Sequence, residues 1–310
     1  MNHSPSRSQV FAILPFDKVI ISYCLAMVAL ILVIGRPFAN YRDELLFYSS
    51  VAALVAAIAR YVPVEGTRLT DLIRLLYPGL LFTFFYRETG GTMFLLFDSF
   101  YDWQLTGFEK SVLGVYPTIY IDRHLLSVWL NEIFSLCYFS YYLMIPVFLL
   151  GAFIKKDYQL LRSSLTAICL TFFISYFLFF VYPIEGPRWY FASAYMNDID
   201  GPVFRPLTEL IITMGAVRGG CMPSSHFAVG LVIFLYCFRY YRKASWLLLP
   251  LVIGLGIGTF WGRYHYVSDV IVGGVIGLAS TLFIWNYYPV SATKRYNSES
   301  IKEPLTENVS

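Results

Sequence analysis

The sequence predicts an all-α, polytopic transmembrane helix bundle of about eight spans. Composition and pattern both point there. Of the 310 residues, 57% are hydrophobic and only 14% are charged, whereas a soluble domain carries about 25% charged residues. The apolar residues collect in runs of roughly bilayer-crossing length, about 17–25 residues with few charges. The runs show no strand alternation, and lipid leaves the backbone only helices or closed barrels as spanning structures. One bundle follows, rather than two domains.

The first run, Val19 to Ile34, lacks a small-residue cleavage site and is followed by Arg36-Pro37. It reads as a retained span and not as a signal peptide. Further runs cover about 45–59, 70–86, 125–150, 164–182, 225–238, 245–261 and 266–288. Two long stretches separate spans. Arg87 to His124 is polar, aromatic and acidic. Glu185 to Met222 carries Pro187, Pro202, Pro206 and Gly219-Gly220, with room for a short interfacial helix over Leu207 to Ala216. The tail from Ala292 is polar and expected to be disordered.

Net charge is +3, and its placement is more informative than its total. Lys155-Lys156 and Arg242-Lys243 lie in loops on the same side as both termini, and that side holds the larger share of the Lys and Arg. The positive-inside rule makes this side cytoplasmic. The loops between spans three and four, five and six, and seven and eight then face outward. Asn2-His3-Ser4 and Asn308-Val309-Ser310 match the glycosylation pattern but fall on the cytoplasmic side, so neither is expected to be modified. No basic face suited to nucleic acid is present. The five Cys form no C-x-x-C pair and read as small buried apolar residues, not as a disulfide framework or zinc site.

Three segments carry candidate chemistry, and all map to the outward boundary. The first is Gly219-Gly220-Cys221-Met222-Pro223-Ser224-Ser225-His226, at the start of span six. A helix N-terminus with glycines and hydroxyls suits a phosphate, and His226 could pass a proton to a leaving oxygen. The plainer alternative is a capped helix start with an interfacial His. The second is Arg263-Tyr264-His265-Tyr266-Val267-Ser268-Asp269. His265 and Asp269 at i, i+4 share a helix face, so the carboxylate could hold one ring nitrogen and leave the other to attack. Arg263 could clamp a phosphate oxygen; a structural ion pair is the alternative. The third is Glu185-Gly186-Pro187-Arg188-Trp189, where Arg188 reads as a phosphate clamp or as a snorkelling Arg. Glu185 either pairs with it or starts the loop. Together these residues suffice for phosphoryl transfer without a metal or other cofactor.

In this order, Gly186-Pro187-Arg188, Pro223-Ser224-Ser225-His226 and His265 to Asp269 resemble the three motifs of the type 2 phosphatidic acid phosphatase superfamily, over roughly residues 180–275. The resemblance implies a six-helix catalytic core within a domain at 19–288, flanked by cytoplasmic tails at 1–18 and 289–310. It implies His265 as a nucleophile that forms a phosphohistidine, Asp269 orienting it, and His226 as general acid. Arg188 and the Ser224-Ser225 turn would hold the phosphate. The substrate would be a lipid phosphate or phosphodiester, and the acceptor water or an alcohol.

Two positions depart from the phosphatase pattern. Val181 stands where the pattern has Lys, and Thr259 where it has Arg. Both departures fit the branch resembling inositol phosphorylceramide synthases and inositolphosphotransferases. Gly107-Phe108-Glu109 and Phe139-Ser140-Tyr141-Tyr142 resemble that branch too. The rival readings are a lipid phosphate phosphatase, a transporter with an outward polar site, and an inactive structural relative. A transporter would spread polar residues through the spans, and an inactive relative would lack part of the His226, His265 and Asp269 set. Asp98, Asp102 and Glu109 form an acidic outward cluster, read as a solvated loop, with head-group or cation binding as the alternative. Glu132 inside span four needs a partner. Gly254, Gly256 and Gly258 read as close-packing positions.

Overall fold

The apolar runs fold as helices close to their expected bounds. A computed structural model describes residues 11–34, 41–64 and 67–290. Among these residues the long helices are α1 (Pro15–Ile34), α2 (Tyr41–Tyr61), α3 (Arg68–Thr92), α6 (Val128–Ile154), α7 (Tyr158–Val181), α11 (Arg242–Trp261) and α12 (Val267–Tyr287). These seven are long and apolar enough to cross a membrane, by length and composition. The sixth expected run becomes α10 (Ser225–Tyr240), of 16 residues. At 1.5 Å per residue it is about 24 Å long, short of a hydrocarbon core of about 30 Å. The expectations for Arg36-Pro37, both glycosylation patterns and the polar C-terminal tail concern residues outside those described.

α7 sits at the centre, buried along most of its length and packed against α1, α3, α10 and α12. Two pairings around it depend on small residues. A Cβ at Gly273 of α12 would lie 2.5 Å from the Ser224 carbonyl oxygen, and one at Gly277 would lie 2.4 Å from that of Ala228. α12 therefore lies directly on the backbone of α10. A Cβ at Gly258 would meet the Phe134 carbonyl oxygen at 2.6 Å, and one at Gly254 the Cys137 sulfur at 2.4 Å, which sets α11 against α6. The glycines of span seven are thus packing positions, as expected. α1 is tied to α3 by a buried ion pair of Asp17 and Arg74, with the Tyr77 hydroxyl donating to the same carboxylate at 2.5 Å.

The two long inter-span stretches fold over one end of the bundle. The first contains α4 (Asp102–Leu113) and α5 (Pro117–His124); the second contains α8 (Pro187–Tyr190) and α9 (Phe204–Gly215). α9 matches the interfacial helix expected at Leu207 to Ala216. The acidic cluster is not a solvated loop. Asp98 is exposed, but Asp102 and Glu109 are only 1% and 3% exposed. The reason is that each accepts backbone N–H groups from a neighbouring segment, which offsets the penalty of burying a charge. Asp102 accepts from Glu185 and Gly186 at 2.7 and 2.9 Å, and also from the Tyr266 hydroxyl at 2.7 Å. Glu109 accepts from Ser268 at 2.6 Å, in the first turn of α12. Burial pushes its carboxyl above the ordinary value, against the lowering effect of that bond.

Two more carboxylates do the same work. Asp122 accepts from Met196 and Asn197 at 3.0 and 3.2 Å. Glu132 of α6 accepts from Val203, Phe204 and Arg205 at 3.1, 2.8 and 2.9 Å, filling the open donors at the start of α9. That is the partner Glu132 needed.

Candidate active site

The three motif segments converge at this end. An isolated parallel bridge joins Ile184 to Gly220, so the Arg188 segment lies beside the glycine turn that precedes α10. Gly186 and Gly219 take φ of 103° and 102°, a region that favours glycine. A Cβ at Gly219 would also lie 2.7 Å from the Met93 sulfur. The Ser224 N–H donates to the Asp269 carbonyl at 2.9 Å, which fastens the second motif to the third.

His265 is buried, and its Nδ1 lies 2.8 Å from the Cys221 carbonyl oxygen. A carbonyl can only accept, so Nδ1 is the donor in this contact. Asp269 approaches the same Nδ1 only to 3.4 Å. Its Oδ2 accepts instead from the Tyr266 N–H at 2.8 Å and from the Cys221 thiol at 2.9 Å. Cys221 is therefore not simple apolar filling. Burial, and then the adjacent Asp269, push its thiol well above the usual range, so it stays a donor. Its sequence signal was its place beside Met222-Pro223-Ser224, outside any apolar run. Sγ of Cys221, Nδ1 of His265 and a carboxylate oxygen of Asp269 lie within 4.8 Å of one another. Cys221→Ala is expected to lower kcat about tenfold by releasing one side of Asp269. Cys221→Ser, which restores a donor, should recover most of it. Steady-state kinetics on both variants checks this.

The His226 ring lies 6.1 Å from that of His265, centroid to centroid, and tilted by 57°. Tyr138, Tyr141 and Tyr142 surround it at 5.3, 4.7 and 6.1 Å. Its Nδ1 is buried and has no hydrogen-bond partner among the described residues. The two rings face one slot, which Arg188, Gly220 and Tyr264 also line. Ser224 is fully buried, with its hydroxyl accepting from Phe227 N–H at 3.4 Å as the cap of α10. Ser225 is 3% exposed and borders an apolar cavity.

The arginines divide differently from the expectation. Arg188 pairs with Glu209 of α9, while Glu185 pairs with Arg218. The guess that Glu185 serves Arg188 is thus corrected: Asp102 holds the backbone at Glu185, and its side chain reaches Arg218. Arg263, at φ 63°, donates to Asp122 and to the Asn197 carbonyl, both at 2.6 Å, and lies 3.9 Å over the Tyr195 ring. Arg205 was not singled out from sequence. It bonds the Tyr264 hydroxyl and, at 2.8 Å, the Glu209 carboxylate.

The slot lies beside two unlike spaces, sharing His226 with one and Arg188 with the other. On one side lies an apolar cavity of about 720 Å³ between α3, α6 and α9, bordered by Thr83, Tyr142, Ile145, Ile212 and His226. On the other lies a polar pocket of about 390 Å³ bordered by Arg188, Asn197, Arg205, Glu209 and Arg263.

The bacitracin transport permease protein BcrC of Bacillus licheniformis is 37% identical over 67 residues, which span 20% of this chain and 31% of the relative. No solved structure matches. The family model described as PAP2 superfamily matches residues 103–283, a stretch that runs from α4 into α12 and contains Arg188, His226 and His265, so the chain belongs to the PAP2 superfamily.

Proposed function

We propose that the chain is a membrane-embedded phosphotransferase or phosphatase that acts on a lipid phosphate or phosphodiester through a phosphohistidine. The observation that carries this is the His265 ring, held through Nδ1 with Nε2 free, beside a second histidine that borders an apolar cavity. Nε2 of His265 attacks phosphorus and forms an N–P bond. The P–O bond to the lipid alcohol breaks, and His226 gives the leaving oxygen a proton. The acceptor then loses its proton to His226, its oxygen bonds phosphorus, and the N–P bond breaks. Arg188 holds the phosphoryl oxygens, and Asp269 with Cys221 keeps His265 in place. The domain covers 19–288, with the slot on the extracytoplasmic face and both tails cytoplasmic, in line with the basic loops at Lys155-Lys156 and Arg242-Lys243.

The finer reading is a transferase resembling the inositolphosphotransferases. Val181 and Thr259 support it, as do Tyr141 and Tyr142 of the Phe139-Ser140-Tyr141-Tyr142 segment beside His226. A lipid phosphate phosphatase fits at least as well, because Arg188 of the slot also borders a polar pocket, and a wet site favours hydrolysis. The deciding experiment offers the detergent-solubilised protein labelled lipid phosphates and phosphodiesters, with and without polyol or ceramide acceptors. Label in free phosphate identifies a hydrolase, and label in the acceptor a transferase. No turnover of any of them would sink the proposal.

A further inference from the structure

The superfamily pattern places a second Arg before the nucleophile, where this chain has Thr259. Arg263, the nearest in sequence, is already engaged by Asp122, by the Asn197 carbonyl and by the Tyr195 ring. Its geometry ties the 195–198 segment to the start of α12. The structure offers another cation from a distant part of the chain. Arg205, at the start of α9, converges with Arg188 on a single carboxylate: Arg188 bonds Oε1 of Glu209 and Arg205 bonds Oε2. Arg205 also bonds the hydroxyl of Tyr264, whose ring borders the histidine slot and whose neighbour in sequence is His265.

We infer that Arg205 is the second guanidinium of the phosphate cradle, and that Glu209 occupies the cradle until a substrate phosphate displaces it. This rests on the proposed phosphoryl chemistry. A carboxylate and a phosphate present similar pairs of anionic oxygens to a guanidinium fork. Two guanidiniums that each give one N–H to a different oxygen of a single carboxylate therefore mark where two phosphoryl oxygens would sit. The cradle is built, not adventitious. The backbone of Arg205 is fixed by Glu132, its Nε donates to the Ile199 carbonyl at 3.0 Å, and its side chain is only 13% exposed. The Glu209 side chain is 32% exposed, so it can swing toward solvent while Arg205 stays. Burial alone would push Glu209 upward, but the Arg188 bond and the two positive charges outweigh it and hold the carboxyl below its ordinary value. Glu209 thus keeps both guanidiniums oriented in the absence of substrate and competes with phosphate for them.

The test uses the full-length protein in detergent, with inorganic phosphate and orthovanadate as probes. Arg205→Lys keeps the charge and loses the fork. It should weaken both inhibitors about tenfold to a hundredfold, as Arg188→Lys should. Arg218→Lys, on the same end of the bundle, should leave inhibition unchanged. Glu209→Gln keeps the shape and removes the competing charge, so it should tighten phosphate binding by about tenfold. Inhibition of Arg205→Lys within twofold of the parent, or weaker phosphate binding in Glu209→Gln, overturns the inference. Should Arg205→Lys fail to fold, the Glu209→Gln result alone decides it. Phosphate binding measured by calorimetry in the His265→Ala background needs no turnover. The cradle can therefore fail while the histidine chemistry stands, or stand while that chemistry fails.

Discussion

His265→Ala is expected to lower turnover of any lipid phosphate substrate by at least about 10³-fold and to abolish a covalent phosphoenzyme. On the proposed assignment it removes the atom that bonds phosphorus, so no neighbour can substitute. His226→Ala should behave differently. It removes a proton donor and should lower turnover about 10²–10⁴-fold for an alkoxide leaving group. The loss should shrink for a phenolic leaving group that departs without a proton. Rapid-quench labelling separates the two. The His226 variant should still trap label on His265 from a phenolic ester, in an acid-labile, base-stable bond. Label retained in His265→Ala, or full activity of that variant, would refute the nucleophile assignment.

Gly273→Ala should be strongly damaging although it lies outside the slot. Its Cβ would lie 2.5 Å from the Ser224 carbonyl oxygen, a backbone atom that cannot turn aside. The α10–α12 pair must part, at a cost of about 1–3 kcal/mol. Because α10 begins at the His226 motif and α12 carries Asp269, the displacement also separates the reacting groups. A misplacement of about 1 Å can cost about 10²-fold in rate. Activity should therefore fall further than the melting temperature suggests. Gly151→Ala is the control. A Cβ there meets nothing within 4 Å, so both readouts should stay at the parent level. Equal behaviour of the two variants would show that the α10–α12 contact does not position the site.

The spans and the chemical motifs were legible in the sequence for a simple reason: both are local. An apolar run declares its own length, and the segments at Arg188, His226 and His265 each carry their signal within a few residues. Even α9 could be given room, as a short helix over Leu207 to Ala216 in a stretch that carries prolines and glycines. What could not be read was pairing between distant segments. Asp102 and Glu109 looked like solvated acids because nothing nearby in sequence shows that Glu185, Gly186 and Ser268 turn their N–H groups toward them. Cys221 looked apolar because its thiol bond to Asp269 spans the chain from one motif to the next. Arg205 carried no signal at all, since its meaning depends on sharing Glu209 with Arg188.

The four carboxylates that grip the outer segments have an evolutionary consequence. Asp102, Glu109, Asp122 and Glu132 each bind main-chain N–H groups, and Asp102 and Asp122 also accept from the Tyr266 and Arg263 side chains. Every residue except proline offers that donor. The side chains at gripped positions such as 196, 203 and 268 can thus change without losing these bonds, whereas Gly186 is held to glycine by its φ of 103° and Arg205 by its side-chain partners. The prolines obey the restriction. Pro183 and Pro187 bracket one gripped pair, and Pro202 and Pro206 bracket the gripped triplet, stiffening the chain on either side without occupying a donor position. A descendant of this protein could therefore rewrite the lining of its polar pocket residue by residue, acquiring a new head-group preference while the two histidines stay where they are.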